Sequence, residues 1–330
     1  MANKEEFGEI DGEKVYRITV SARGYSASIL TYGATLQSLN VPFDGRTVDV
    51  VLGYDSLEDY MTRSGRLGAV MGRSANRISH GRLEIDGKVY QLTLNRGEHH
   101  IHGGNRGFDK RVWDIASLKD DSVTLRLTSP DGDEGYPGKL EAELTYVLTG
   151  KSLRLEYLAQ SDSDTVCNLT NHSYFNLGGS GTVEDHTVAL PLGRYTEADS
   201  EGIPTGRILP AEGFYDLRSP VMIGDRLKEG SYDVNYLTDA KGTCALAFCP
   251  RTGIHMRVDT DMPAMQFYTA GGLKDGTPGK GGSVYGRFSG MCFETQFCPD
   301  SPNRPEFPSC VLREGEEYRH TTVFSFEAKH

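Results

Sequence analysis

The sequence predicts an all-β, mostly antiparallel fold, and three observations predict it. Period-two alternation of apolar and polar residues dominates the chain, the turns between such runs are short and rich in Gly or Asp, and helical signals are few. In RLEIDGKVYQLTL the pair Asp86-Gly87 separates two alternating runs, the signal for a tight hairpin. LEAELTYVLTGKSLRLEYLAQ repeats the design with a turn at Thr149-Gly150-Lys151. Further alternating stretches cover 14–20, 27–39, 47–53, 122–128, 255–260, 264–270, 291–298 and 319–327. The best helix signal is Asp55-Ser56-Leu57-Glu58 opening LEDYMT, where an acid three residues after the cap suggests a capping box. The 39 glycines and 14 prolines are spread over the whole length, which fits many strand connections. GGLKDGTPGKGGS at 271–283 reads as a flexible loop or lid. No break in composition divides the chain, so residues 1–330 are read as a single large β-sandwich domain with a few short helices and a concave face for a ligand.

The bulk composition excludes several function classes. A formal charge of −11 and the absence of any lysine or arginine run argue against nucleic acid as a partner. The six cysteines show no CxxC spacing, which makes zinc and disulfide frameworks weak readings and fits reduced thiols. The first twenty residues are charged throughout and lack the apolar core of a secretory signal, and nowhere do 18 apolar residues run together. A cytoplasmic protein with no membrane partner is expected. The glycosylation patterns at Asn168 and Asn171 are discounted accordingly.

The candidate chemistry lies with histidines and carboxylates, whose pKa values can be set near neutrality. In CFETQFC, alternation puts Glu294 and Gln296 on one strand face with Cys292 and Cys298, and Phe293, Thr295 and Phe297 on the other. In EHHIHGG, His100 and His102 would point the same way on a strand, and an added acid could complete a metal site. The competing reading is one functional imidazole with exposed neighbours, and without a further ligand pattern a site free of metal and cofactor is favoured. His172, within NLTNHSYFNLGG, fits either a structural histidine or an imidazole held in one orientation by polar neighbours. Asn76-Arg77 in GRSANRIS offers a planar donor fork for hydroxyls or a carboxylate, or else an ordinary salt bridge. SPDGDEGYPG at 129–138 reads as a solvated loop. No P-loop, GxSxG elbow, HExxH or EF-hand pattern occurs, which leaves acid and base chemistry.

Taken together, GRSANRI, HIHGGNRGFDKRVW, SPDGDEGYPG, NLTNHSYFNLGG, QFYTAGGLKDG and FETQFCPDSPNRPEFPSCVLREGEEY resemble the aldose 1-epimerase (galactose mutarotase) family, in its order, over roughly residues 30–326. The resemblance implies a β-sandwich of the galactose mutarotase type and a cofactor-independent isomerase that interconverts the α and β anomers of free aldohexoses such as glucose and galactose. It implies Glu294 as general base and His172 as general acid, with His102, Asn76, Arg77, Asp233 and Gln266 binding the sugar. For ring opening it calls for an ionised Glu294 beside a protonated His172. The partner implied is a small-molecule aldose, and the chain is expected to be a monomer or homodimer.

Two departures from the family pattern bear on sugar preference. Asp233-Val234-Asn235-Tyr236 stands where the family often reads Asp-His-Asn-Phe, and His99 stands where it often has Asn. Two other readings use the same scaffold. A hexose-6-phosphate 1-epimerase would need several cations converging on the phosphate, of which only Arg77 is in the expected site. A non-catalytic sugar-binding protein would have no use for both proton-transfer partners.

Overall fold

The computed structural model describes residues 2–239 and 242–328. Three antiparallel sheets carry the architecture. The first joins the N-terminal strands Asn3–Ile10, Glu13–Ala22, Tyr25–Leu30, Thr35–Phe43 and Arg46–Asp49 in chain order. The second has nine strands, with Ser152–Ser161 paired to Glu317–Ala328 at its centre, so the chain's end closes the sheet that its middle builds. The third runs Pro204–Pro210, Arg194–Ala198, Asp233–Leu237, Ala264–Tyr268 and Cys292–Gln296.

Alternation explains why these sheets stack. Leu140–Leu148 buries every second residue, as a strand covered on one face should. Phe267 and Phe293 of the third sheet meet at 5.3 Å between ring centroids, Phe293 contacts Phe175, and Phe175 meets Phe324 of the nine-stranded sheet at 4.8 Å. One buried cluster runs from Ile18 to Phe326 and joins all three sheets. A β-sandwich with little helix is therefore the fold, as the alternation predicts.

Four local expectations differ from the structure. The run 27–39 is two paired strands, because Gly33 and Ala34 turn the chain with φ of 66° and 45°. The helix Leu57–Thr62 is capped one residue later than expected: the Ser56 side chain accepts from the Asp59 backbone N–H, and Ser56 Oγ donates to the Asp59 carboxylate. The loop at 271–283 is pinned, since half-buried Lys280 meets the carboxylate of Asp49 at 2.6 Å and Gly281 N–H donates to Asp55.

SPDGDEGYPG is solvated only in part: Pro130, Asp131 and Gly132 are exposed, while Ser129, Tyr136, Pro137 and Gly138 are buried. Its carbonyls at Ser129, Pro130, Pro137 and Gly138 all accept from the guanidinium of Arg73, which is 1% exposed. The carbonyls of Ser129, Pro137 and Gly138 would otherwise be buried without donors, at a cost of about 1–3 kcal/mol each. The loop thus clamps the segment that leads into Asn76 and Arg77.

Candidate active site

Strand register builds one wall of the site. Asn235 pairs with Gln266 and Gln266 with Glu294, so these three side chains form a row across the third sheet on one face. Two residues along, Asp233, Tyr268 and Cys292 form a second row on the same face. The opposite face carries Val234, Phe267 and Phe293 into the core. Phe293 and Thr295 back Glu294 as expected, Thr295 sharing a hydrogen bond with Thr322. Val234 points away from Asp233, so the histidine missing there removes no group from the site face.

The second wall comes from two tight backbone excursions. His100 pairs with Ile78 and Ile101 with Arg77 in a short ribbon, and at its end Asn76 and His102 both adopt left-handed backbone, with φ of 60° and 51°. His102 N–H donates to Asn76 O at 3.0 Å, and Asn76 N–H donates to His102 Nδ1 at 3.2 Å. An accepting Nδ1 leaves Nε2 of the neutral ring as the N–H donor. Gly103 must be glycine, because a Cβ there would lie 1.7 Å from Gly72 O. The positive φ also separates the two histidines that strand alternation would align. His100 is held by Thr93 O at 2.7 Å and by the Tyr136 hydroxyl at 2.6 Å, a structural role. Neither His99 nor His100 is exposed.

His172 enters from the third side. Its backbone is bonded at both N–H and C=O to the segment 68–69, and its ring stacks on Tyr174 at 5.1 Å. Cys292 Sγ lies 3.5 Å from Nδ1. Its polar neighbours Asn171 and Ser173 bond each other and the backbone, fixing the segment without touching the imidazole.

These walls enclose a cavity of about 280 Å³, and all seven residues singled out in the sequence line it: Asn76, Arg77, His102, His172, Asp233, Gln266 and Glu294. Glu294 Oε1 is 3.7 Å from His172 Nε2, and the His102 and His172 rings meet edge-on at 5.5 Å. Asp233 accepts from Arg77 Nη2 at 3.3 Å and from Gln266 Nε2 at 2.6 Å. Asn76 Oδ1 accepts from the Arg77 backbone N–H. Three buried polar atoms of residues lining this cavity have no partner among the described residues: Glu294 Oε2, Gln266 Oε1 and Arg77 Nε. Such atoms are costly unless a ligand or water answers them. His99 lies outside this cavity, with Nδ1 accepting from His80 N–H and Nε2 3.5 Å from Glu201.

Burial sets the electrostatics. Desolvation, with the Asp233 charge adding to it, raises the Glu294 carboxyl well above the usual carboxylate range, against Arg77 and Arg66. Desolvation, reinforced by Arg66, lowers His172 to about 4, and the same two causes hold His102 well below its ordinary value. Burial therefore favours a neutral carboxyl beside a neutral imidazole, the reverse of the ionised Glu294 and protonated His172 expected for ring opening.

Sequence reasoning missed Arg66 and Arg96, which also line the cavity. Both sit in turn segments, SGRLG and NRGE, where no periodicity assigns a direction to a side chain. His102, His172 and Glu294 also bring ligand atoms within 4.8 Å of one another, a two-His, one-carboxylate set of the kind divalent metals use. An ion there would occupy both the acid and the base, so metal binding and proton transfer are alternative uses of these side chains.

Fold and cavity together set a buried carboxyl and imidazole among polar side chains on a large antiparallel β-sandwich. The family model for aldose 1-epimerase matches residues 16–325. The chain is 43% identical to galactose mutarotase from Homo sapiens, with 97% of each chain covered, and 35% identical to aldose 1-epimerase from Haemophilus influenzae, covering 99% of this chain and 100% of the relative. Among solved structures, an aldose epimerase homologue from C. elegans superimposes with a TM-score of 0.91 at 30% identity, covering 95% of this chain and 99% of the other. The chain belongs to the aldose 1-epimerase family.

Proposed function

We propose that the chain interconverts the α and β anomers of free aldoses, with Glu294 and His172 as the proton-transfer pair and His102, Asn76, Arg77, Asp233 and Gln266 as the sugar-binding set. The observation that carries this is the buried Glu294–His172 pair, set 3.7 Å apart in a cavity with orphaned polar atoms. The activity is that of a carbohydrate isomerase, in keeping with the aldose 1-epimerases and galactose mutarotases the chain resembles over nearly its full length. A single domain over residues 1–330 is part of the same reading, supported by the one core cluster that joins the three sheets.

The chemistry follows from proton counting. In ring opening, Glu294 takes the proton of the C1 hydroxyl, His172 gives one to the ring oxygen, the bond from C1 to the ring oxygen breaks, and C1 becomes an aldehyde. Rotation about C1–C2 and reclosure on the other face give the opposite anomer and return both protons. The pair holds one proton throughout: carboxylate with imidazolium before opening, carboxyl with imidazole after it. Burial favours the second arrangement and so assists ring opening. Hydroxyls of the bound sugar, donating to Glu294 Oε2 and Gln266 Oε1, would support the charged arrangement from which opening starts.

Neutral hydroxyl-bearing substrates suit donors and acceptors such as Asn76, Gln266 and the Nε2–H of His102. Polarimetry of freshly dissolved α-glucose and α-galactose tests the reading. Faster relaxation to the equilibrium rotation is expected, and relaxation at the buffer rate for every aldose would sink it.

A further inference from the structure

We propose that a cleft beside the candidate cavity binds a second sugar ring, so that the preferred substrate is a reducing disaccharide, extended from a hydroxyl other than the one on C1. This rests on the epimerase reading and names its substrate class. The cleft has a volume of about 560 Å³, and Arg77, Arg96, Asp233 and Gln266 line both it and the cavity of about 280 Å³. Asp233, whose side chain is 46% exposed, forms the rim they share with its partner Arg77. The chemistry assigned to Glu294 and His172 needs a free C1 hydroxyl and a ring oxygen, and the reducing end of a disaccharide keeps both.

A break in the third sheet makes the cleft. Arg194–Ala198 pairs with Asp233–Leu237 through Tyr195 and Tyr236 alone, and its register to Pro204–Pro210 shifts between Thr196 and Ala198. Past that pair the two strands part, and the gap opens beside Asp233 and Asn235. Its apolar side is aromatic: Tyr195 stacks on Tyr215 at 4.3 Å and Phe214 on Tyr232 at 4.4 Å, which holds the rings in place. Its polar side carries two nearly buried side chains with an atom that makes no hydrogen bond among the described residues. Asn235 is 3% exposed with Nδ2 unanswered, and His99 is 5% exposed with Nε2 unanswered, 3.5 Å from Glu201. Such atoms are costly unless a ligand or water meets them. Fixed rings beside buried polar groups suit a sugar, which offers C–H faces and a rim of hydroxyls.

Spacing and charge narrow the ligand further. Glu294, Gln266 and Asn235 stand on successive strands with their side chains on one face, so two strand spacings, about 10 Å, separate the base from the cleft's amide. Two pyranoses joined by one glycosidic oxygen cover that span with one ring in each hollow. The acids Asp199, Glu201 and Asp233 outnumber Arg77 and Arg96 on the cleft's lining, so a neutral sugar ring suits it better than a phosphate or a nucleotide. His99, which stands where the family often has Asn, lines this second hollow and not the first.

The test follows anomer exchange by NMR for glucose, cellobiose and gentiobiose, the last two carrying their second ring on the C4 and C6 oxygens, with the parent protein and Ala198→Trp. Ala198 is exposed and lines the cleft but not the cavity, so an indole there fills the second hollow and leaves the first open. The parent should show a kcat/KM about tenfold higher for at least one disaccharide than for glucose, the size of one or two net hydrogen bonds. In Ala198→Trp that advantage should disappear while the rate on glucose holds. A parent that prefers glucose to both disaccharides overturns the proposal and leaves the epimerase reading standing. An unchanged disaccharide-to-glucose ratio in Ala198→Trp overturns it too. Tyr215→Leu, which removes one aromatic face, takes the place of Ala198→Trp if that variant does not fold. If neither folds, saturation-transfer NMR on the parent decides: transfer should reach protons of both rings of the preferred disaccharide, and transfer to the reducing ring alone overturns the assignment. A parent inactive on every sugar fails the epimerase reading itself, and the substrate assignment with it.

Discussion

Glu294 Oε1 and His172 Nε2 face each other across 3.7 Å, with both side chains at least nine-tenths buried. The gap is too long for a direct hydrogen bond, so neither group satisfies the other. Burial opposes charge on both groups, and that opposition has measurable consequences for stability and for pH dependence.

Glu294→Gln should stabilise the protein while removing the base. The folded-state pKa of Glu294 is raised, so the unfolded chain releases this proton at lower pH than the folded one does. The destabilisation begins above the ordinary carboxylate pKa and grows as pH rises towards the raised value. The variant should therefore melt a few degrees above the parent at about pH 8, with a smaller gap at about pH 5. Equal melting temperatures at both pH values would mean that Glu294 is not under this strain.

The pH profile of kcat/KM should be bell-shaped. On the acid side the pair gains a second proton when His172 titrates, at about 4, and no base remains. On the alkaline side the pair loses its only proton when Glu294 ionises, and no acid remains. Arg66 helps to lower His172, so removing that charge in Arg66→Met should move the acid limb to higher pH. A limb that stays in place would show that Arg66 does not reach His172.

Chelation separates the two uses of the His102, His172 and Glu294 set. Extensive dialysis against a strong chelator should leave the anomerisation rate unchanged. A rate that falls and is restored by a divalent ion would assign these side chains to metal.

The strands were legible in the sequence because each long one is covered on a single face. Leu140–Leu148 and Glu317–Ala328 alternate in burial just as they alternate in residue type. The direction of Glu294 was legible from alternation of residue type alone, since Cys292–Gln296 is buried on both faces. The third dimension was not. Nothing local to SPDGDEGYPG shows that Arg73, more than fifty positions away, is buried among its carbonyls. Nothing local to EHHIHGG shows that left-handed backbone at His102 parts it from His100. The roles of the site residues came from motif resemblance, while Arg66 became visible only once residues 64–66, 172 and 294 stood around one cavity.

The most direct test of the proton-transfer pair is anomer exchange of α-glucose or α-galactose measured for the parent, Glu294→Gln, His172→Gln and the double variant. Two groups that work as one relay should each lose about 10²- to 10⁴-fold in kcat when removed, and the double variant should be little slower than the slower single. Full activity in either single variant, or losses that simply multiply in the double, would contradict a shared proton between Glu294 and His172.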